Sequence, residues 1–169
     1  MKPALLVIDV QKAFFKYDAV TTQSLEDAIP TINAAIALFR KKNLPVICVQ
    51  HMEEDEGVIP GEEGFDLPES LKILPTDEHI VKTYGNSFNK TPLAEKLHAL
   101  GVDTLIITGF CAEYCVLSTI RGAMDLDFTP IVLRGSLASG VPENLRFVEN
   151  VHASMTYGAL RAFMNWAPE

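Results

Sequence analysis

The runs ALLVI (residues 4–8), PVICV (45–49), TLIIT (104–108) and TPIVL (129–133) decide the fold class of this chain. None of them alternates apolar with polar residues, a pattern typical of strands that are buried on both faces. Both faces of a sheet are buried when helices cover them, and the strands of such sheets are parallel. With a weaker run over residues 79–82, the pattern predicts a parallel sheet.

The segment between the first two runs has the periodicity of a helix. Residues 24–43 place apolar side chains three to four positions apart, with Ser24 as the expected N-cap and Pro30 near the helix start. These apolar positions are Leu25, Ile29, Ile32, Ile36 and Phe39. We expect this helix to connect the first strand to the second.

Further helices are predicted in the rest of the chain. Thr91 and Pro92 open one helix, which Gly101 closes. Others are expected over residues 113–126 and over much of residues 143–166. Because strands and helices alternate, we predict an α/β protein with three α/β/α layers and a doubly wound, mainly parallel sheet of five or six strands.

Length and charge narrow the functional classes. The chain has 169 residues and no linker-like stretch, so we expect a single domain over residues 1–169. Its 14 Lys and Arg against 22 Asp and Glu give a net charge of −8, which repels nucleic acid and anionic membrane surfaces. The run at residues 4–8 is too short for a signal peptide or a membrane span. We therefore expect a cytoplasmic protein whose partners include neither nucleic acid nor a membrane, and whose three cysteines are thiols.

Three reactive side chains follow predicted strands. Asp9 ends the first run, Lys82 ends the weaker run, and Cys115 lies after the run at residues 104–108, where a helix is expected to begin. Ligands of open α/β sheets bind beyond the carboxyl ends of the strands. A buried ammonium needs a partner, and Asp9 is the simplest one. A thiol at a helix N-terminus faces unpaired N–H groups, which favour the thiolate and can bind an oxyanion. The three residues together indicate nucleophilic catalysis.

Each of these residues also has a structural interpretation. Asp9 could cap the following segment, Lys82 could be a surface lysine, and Cys115 could pack as a small apolar side chain. Cys48 lies in the middle of a predicted strand, where packing explains it. Cys111 and Cys115 are separated by three residues, a poor match to zinc or dithiol redox motifs.

The segment after the first strand argues against a bound cofactor. Residues 9–15 are DVQKAFF and contain no glycine. A dinucleotide fingerprint or a phosphate-binding loop needs glycine there, so that the backbone can approach the ligand. We expect no cofactor.

Three motifs along the chain belong together. They are DVQ at residues 9–11, Lys82 followed by SF at 87–88, and TG at 108–109 followed by CVLST at 115–119. Over residues 5–140 their spacing resembles the isochorismatase-like cysteine hydrolase superfamily. The resemblance implies that Asp9, Lys82 and Cys115 form that family's Asp-Lys-Cys triad.

The same resemblance implies a mechanism. The family has a non-proline cis peptide five residues before its cysteine, here between Phe110 and Cys111, which turns the Cys111 amide toward the site beside the Cys115 amide as an oxyanion hole. Asp9 acts as base and then as acid, while Lys82 holds its negative charge in place. The implied reaction cleaves a C–N bond of a small amide-like substrate through a thioester on Cys115.

The chain departs from the patterns of this superfamily at two positions. Nicotinamidases among its members bind a divalent metal through an Asp-x-His element and a further His after the second strand, whereas residues 49–53 here are VQHME. His51 and the acids after it are the candidate metal ligands, but a solvated acidic face is the expected role, and we expect no metal. Residues 135–136 are Gly-Ser in place of an Asp-Ala pair, so no substrate contact is carried over there.

Aromatic side chains flank the three motifs and are expected to line an apolar cleft for a small-molecule substrate, with ordinary core packing as the alternative for each. They are Phe14, Tyr84, Phe88, Phe110 and Tyr114. The family's members form dimers or larger assemblies, which implies a homo-oligomer. Phe163 and Trp166 on the last helix are the expected contact residues, unless that helix only covers the sheet.

Three other functions stay open from the sequence. One is vinyl-ether hydrolysis of isochorismate, although this dianion finds few cations near the motifs beyond Lys82 and Arg121. Another is a non-catalytic binding protein on the same fold. The third is a thiol redox role for Cys111 and Cys115.

Overall fold

Six parallel strands form the central sheet of the computed structural model, which describes residues 1–166. They are β1 (Pro3–Ile8), β2 (Val46–His51), β3 (Glu78–Lys82), β4 (Thr104–Gly109), β5 (Thr129–Leu137) and β6 (Ser154–Met155). Their order across the sheet is β3-β2-β1-β4-β5-β6, and every neighbouring pair is parallel. The predicted parallel sheet of five or six strands is confirmed.

Helices cover both faces of this sheet. They are α1 (Ala19–Lys41), α2 (Leu93–Ala99), α3 (Leu117–Asp125), α4 (Pro142–Val151) and α5 (Tyr157–Trp166). One apolar core joins a face of the sheet to α1 and α5, and a second joins the opposite face to α2, α3 and α4. This is the predicted three-layer α/β/α arrangement. None of the helices within residues 1–166 is long and apolar enough to cross a bilayer.

Helix α1 begins five residues before its expected start. Asp18 is the N-cap, and its Oδ1 accepts a hydrogen bond from the Thr21 N–H at 2.8 Å. Ser24, the expected cap, lies inside the helix and its hydroxyl accepts from the Ser139 N–H at 3.1 Å. Pro30 lies in the middle of the helix rather than near its start. The apolar periodicity begins only at Leu25, because the first turns carry mostly polar or exposed residues.

The predicted helix over residues 143–166 is two helices with a strand between them. The segment between α4 and α5 forms β6, which pairs with β5 at Val132 and Leu133. This pairing adds a sixth strand at the edge of the sheet. The apolar periodicity of the sequence predicts helix here and gives no indication of the pairing. Phe163 is partly exposed on α5, whereas the side chain of Trp166 lies outside the described part of the structure.

The chain reverses its direction across the sheet between β1 and β4. It runs outward from β1 to β2 and β3, then returns to place β4 on the other side of β1. At this point Gly109 has a φ of +116°, and a Cβ there would lie 2.0 Å from the Ile8 carbonyl oxygen. Only glycine fits, because the ends of β1 and β4 approach so closely. Such a reversal is where open α/β sheets bind ligands.

Candidate active site

A buried ion pair lies at the carboxyl ends of β1 and β3. Lys82 donates to Oδ2 of Asp9 at 2.7 Å, and each residue is 1% exposed. Asp9 directly follows β1 with a φ of 53°, and its N–H donates to the Val49 carbonyl at 2.8 Å. Burial raises the pKa of Asp9 above its ordinary value, and the Lys82 ammonium offsets part of this rise. Removing two charges from water is costly, and losing either partner would leave the other charge buried without a counter-ion.

His51 extends the pair toward the protein surface. Lys82 and His51 are register partners on β3 and β2, and Lys82 Nζ lies 3.1 Å from His51 Nδ1. An ammonium only donates, so Nδ1 accepts and the proton of the neutral ring is on Nε2. Nε2 in turn lies 3.1 Å from Oε2 of Glu53. The sequence suggested His51 only as a metal ligand; its position beside Lys82 follows from the strand register.

The thiol of Cys115 lies beside Asp9 and His51. Cys115 belongs to a π-helical turn, Ala112–Val116, that leads into α3. Its Sγ, a carboxylate oxygen of Asp9 and a ring nitrogen of His51 all lie within 4.8 Å of one another. The structure therefore brings Asp9, Lys82 and Cys115 together, although 105 residues separate Asp9 from Cys115 along the chain.

The expected preference for the thiolate is not found. Burial and the charge of Asp9 raise the pKa of Cys115 to about 12, and the Lys82 ammonium only partly opposes them. At neutral pH Cys115 is a thiol and needs a base before it can react.

The three residues Asp9, His51 and Cys115 also form a donor set of the kind that holds a metal. Lys82 donates to both Asp9 and His51, so its positive charge already faces two of the three donors. A metal ion would have to displace an ammonium. The donors are therefore sterically suitable and electrostatically unsuitable, and the expectation of no metal stays a prediction.

A cavity of about 480 Å³ opens above Asp9 and Cys115. Phe14, Phe110 and Tyr114 are among the residues that line it, and the rings of Phe14 and Phe110 pack with their centroids 5.0 Å apart. This size is within the range of small-molecule sites. Three of the five expected wall residues are thus at the cavity.

The structure does not bring Tyr84 and Phe88 to the cavity. Phe88 is buried in the core beneath α2 and α3, where its ring stacks on Phe128 at 5.7 Å. Tyr84 is 40% exposed, and its hydroxyl accepts a hydrogen bond from Lys90 at 2.8 Å. Both were expected at the wall because they follow Lys82 in sequence, but the chain turns away from the site after β3.

Glu113 is a further cavity residue, one that we did not assign from sequence. It accepts hydrogen bonds from Ser139 at 2.9 Å and Asn144 at 2.8 Å, and from the thiol of Cys111 at 3.0 Å. Burial acts to raise its pKa, but these hydrogen bonds outweigh it, and the pKa of Glu113 is lowered. Burial and Glu113 together raise the pKa of Cys111 to about 12. The peptide bond between Phe110 and Cys111 is cis.

The fold and the site define a three-layer α/β protein with an acid, an ammonium and a thiol in one cavity where the strand order reverses. The isochorismatase domain family model matches residues 3–155. The chain therefore belongs to the isochorismatase family of hydrolases.

Known proteins similar to this chain agree with that assignment. The isochorismatase family protein YddQ of Bacillus subtilis (strain 168) is 30% identical over 90% of this chain and 88% of its own length. At3g16190 of Arabidopsis thaliana, a probable inactive nicotinamidase, is 30% identical over 83% of this chain and 82% of its own length. The ureidoacrylate amidohydrolase RutB of Enterobacter sp. (strain 638) is 26% identical over 83% of this chain and 76% of its own.

A solved structure has the same fold. The crystal structure of an isochorismatase-like hydrolase from Alkaliphilus metalliredigens superposes with a TM-score of 0.88, covering 96% of this chain and 99% of that one at 23% identity. At that identity the likeness concerns the fold alone.

Proposed function

We propose that this protein is a cysteine-dependent amidohydrolase that cleaves a C–N bond of a small amide-like molecule through a thioester on Cys115. The observation that carries the proposal is the buried pair of Asp9 and Lys82, 2.7 Å apart, beside the Cys115 thiol in a cavity of substrate size. An amidohydrolase among the relatives, RutB, supports the same class of reaction.

In the first half of the reaction, Asp9 removes the proton of the Cys115 thiol as the sulfur attacks the substrate carbonyl. Burial raises the pKa of Asp9, which makes the carboxylate a better base, and Lys82 holds it in place. Proton removal has to accompany the attack, because the pKa of Cys115 is about 12. Asp9 and Cys115 are therefore needed together.

The negative charge that develops on the substrate oxygen needs donors. We assign this role to the backbone N–H groups of Cys111, which precedes the turn into α3, and of Cys115, which lies within it. The N–H groups of Phe110 and Ala112 are already engaged by Ile8 at 2.8 Å and Ala138 at 2.9 Å. One such donor contributes about 2.7–4 kcal/mol to transition-state stabilisation in hydrolases.

In the second half, Asp9 returns its proton to the departing ammonia or amine, and the C–N bond breaks to leave a thioester. Asp9 then takes a proton from water as the water attacks the thioester carbonyl. Asp9 passes this proton to the sulfur as the C–S bond breaks, which leaves a carboxylic acid, the Cys115 thiol and the Asp9 carboxylate. The apolar part of the cavity wall packs around the substrate in this proposal, through Phe14, Phe110 and Tyr114.

The alternatives find less support. Five carboxylates and neither Lys nor Arg are found among the described residues that line the cavity, which disfavours a dianion such as isochorismate. A redox pair of Cys111 and Cys115 is disfavoured because a raised pKa of about 12 keeps both as thiols. A binding protein without turnover is favoured by one observation, the similarity to At3g16190, a probable inactive nicotinamidase.

The test is ammonia release from a panel of small amides, ureides and N-acyl compounds. Cys115→Ala should abolish release and the covalent adduct seen by intact-mass spectrometry, because the nucleophile is gone. Cys48→Ala is the matched control, since Cys48 is buried in β2 away from the cavity lining. Full activity in the folded Cys115→Ala variant would remove the covalent mechanism.

A further inference from the structure

The cavity above Cys115 has a strongly one-sided charge. Five of its lining residues are acids, which lie directly after β1, at the N-cap of α1, in the β2–β3 loop and in the turn before α3: Asp9, Asp18, Glu53, Glu56 and Glu113. Within residues 1–166 no lysine or arginine lines the cavity. Lys82 is fully buried behind Asp9, so its charge is engaged with that carboxylate.

The other four acids bond to neutral groups rather than to cations. Glu56 accepts from the Tyr17 hydroxyl at 2.9 Å, Asp18 from Thr21, and Glu53 from the neutral ring of His51. Glu113 accepts from two side chains and a thiol, as described above. Hydrogen bonds of this kind stabilise a carboxylate without cancelling its charge.

Asp18 and Glu113 are stabilised as carboxylates by their hydrogen bonds. Hydrogen bonds from the Thr21 backbone and side chain lower the pKa of Asp18, and the pKa of Glu113 is lowered as well. Burial, followed by the hydrogen bond and charge of Glu56, raises the pKa of Tyr17 to about 12. The negative charge of Glu56 therefore acts on Tyr17, which lines the same cavity.

A second observation, independent of the acidic lining, also points to a ligand. Oδ1 of Asp9 is buried and has no hydrogen-bond partner among the described residues, although Asp9 lines the cavity. A buried acceptor without a partner is costly. A donor from the ligand, such as an amide N–H, satisfies it at the position where Cys115 attacks.

We propose that the substrate carries a positive charge, an ammonium or guanidinium group, apart from the amide that Cys115 attacks. This inference deepens the proposed function and rests on it for the identity of the reacting group. The cation lies among Glu53, Glu56 and Glu113 at the cavity mouth while the amide reaches Asp9 and Cys115 below. Clefts lined by one sign of charge raise the local concentration of the opposite ion about tenfold or more.

Charged thiol reagents test the cavity without requiring turnover. Methanethiosulfonates transfer an alkylthio group to Cys115 and release methanesulfinate, and cationic, neutral and anionic forms of similar size exist. Rates at Cys115, mapped by peptide mass and divided by rates at a small free thiol, should favour the cationic over the anionic reagent about tenfold. High salt should shrink that ratio.

Two variants of equal charge change make this measurement specific. Glu56→Gln should reduce the cation preference about threefold, whereas Glu54→Gln, one loop position from Glu53 and outside the cavity lining, should leave it unchanged. Equal corrected rates for the cationic and anionic reagents would overturn the proposal. An equal loss of cation preference in Glu56→Gln and Glu54→Gln would also overturn the proposal, because it would show that the preference depends only on the net charge of the protein.

Substrate turnover distinguishes this inference from the amidohydrolase proposal. We expect kcat/KM to follow the order cationic, neutral, anionic in a matched series of amides that differ only in a remote charged group. If turnover depends on Cys115 but does not follow this order, the amidohydrolase proposal is supported and the proposal of a cationic substrate is refuted. A cation preference in labelling, with no amide hydrolysed, would refute the hydrolase instead.

Discussion

Replacing Lys82 by methionine is the sharpest test of the buried pair, because methionine keeps most of the volume and removes the charge. The side chains of Lys82 and Asp9 are 0% and 1% exposed, so the substitution leaves the Asp9 carboxylate buried without a cation. Breaking a buried pair in this way costs about 3–5 kcal/mol of the free energy of unfolding. Urea unfolding followed by circular dichroism measures this cost.

The protein contains a matched control at its surface. Lys96 and Glu78 have the same N–O separation of 2.7 Å, but their side chains are 39% and 40% exposed. Lys96→Met should cost less than about 1 kcal/mol, since solvent screens the pair. Equal losses in the two variants would show that burial does not govern the energy of the Lys82 pair.

The cost of Lys82→Met should also depend on pH. Without the ammonium, burial raises the pKa of Asp9 further, so the folded variant retains a proton that the unfolded chain has released. Above the pKa of the unfolded carboxyl, about 3.9, stability therefore falls as pH rises, by up to about 1.4 kcal/mol per unit. The gap to the parent protein should be larger at pH 8 than at pH 5.5. The double variant Asp9→Asn with Lys82→Met should recover part of the stability that Lys82→Met loses at pH 8. A difference in free energy of unfolding between Lys82→Met and the parent that is the same at both pH values would refute the reasoning.

Three further predictions concern a helix cap, a close backbone approach and the nucleophile. Asp18→Ala should lower the free energy of unfolding by about 0.5–2 kcal/mol in urea, because it removes the N-cap of α1. Gly109→Ala should cost about 3 kcal/mol or more in the same assay, since its Cβ would meet the Ile8 carbonyl. Gly101→Ala, where nothing lies within 4 Å of the added Cβ, should cost only about 1 kcal/mol. Alkylation of Cys115 by iodoacetamide should accelerate about tenfold per pH unit from pH 7 to 10, because its pKa is about 12; a plateau below pH 8 would contradict this.

The sequence determined five of the six strands and two of the residues that follow or end them. Unbroken apolar runs such as residues 4–8 have few alternatives to a strand that is buried on both faces, so the strands were predictable locally. Asp9 and Lys82 could be placed for the same reason, since a charge that ends such a run lies at the end of its strand. Cys115 was found through its motif and through the turn that it occupies before a helix.

Tertiary structure decided the rest, because it depends on contacts between residues far apart in the chain. The start of α1 at Asp18 and the strand between α4 and α5 reflect packing and pairing that no local periodicity reports. His51 joins Lys82 only through the register of β2 with β3. The raised pKa of Cys115 and the acidic lining of the cavity both arise where segments distant in sequence meet above the sheet. Burial and the sum of nearby charges exist only once the chain has folded, so neither could be predicted from sequence.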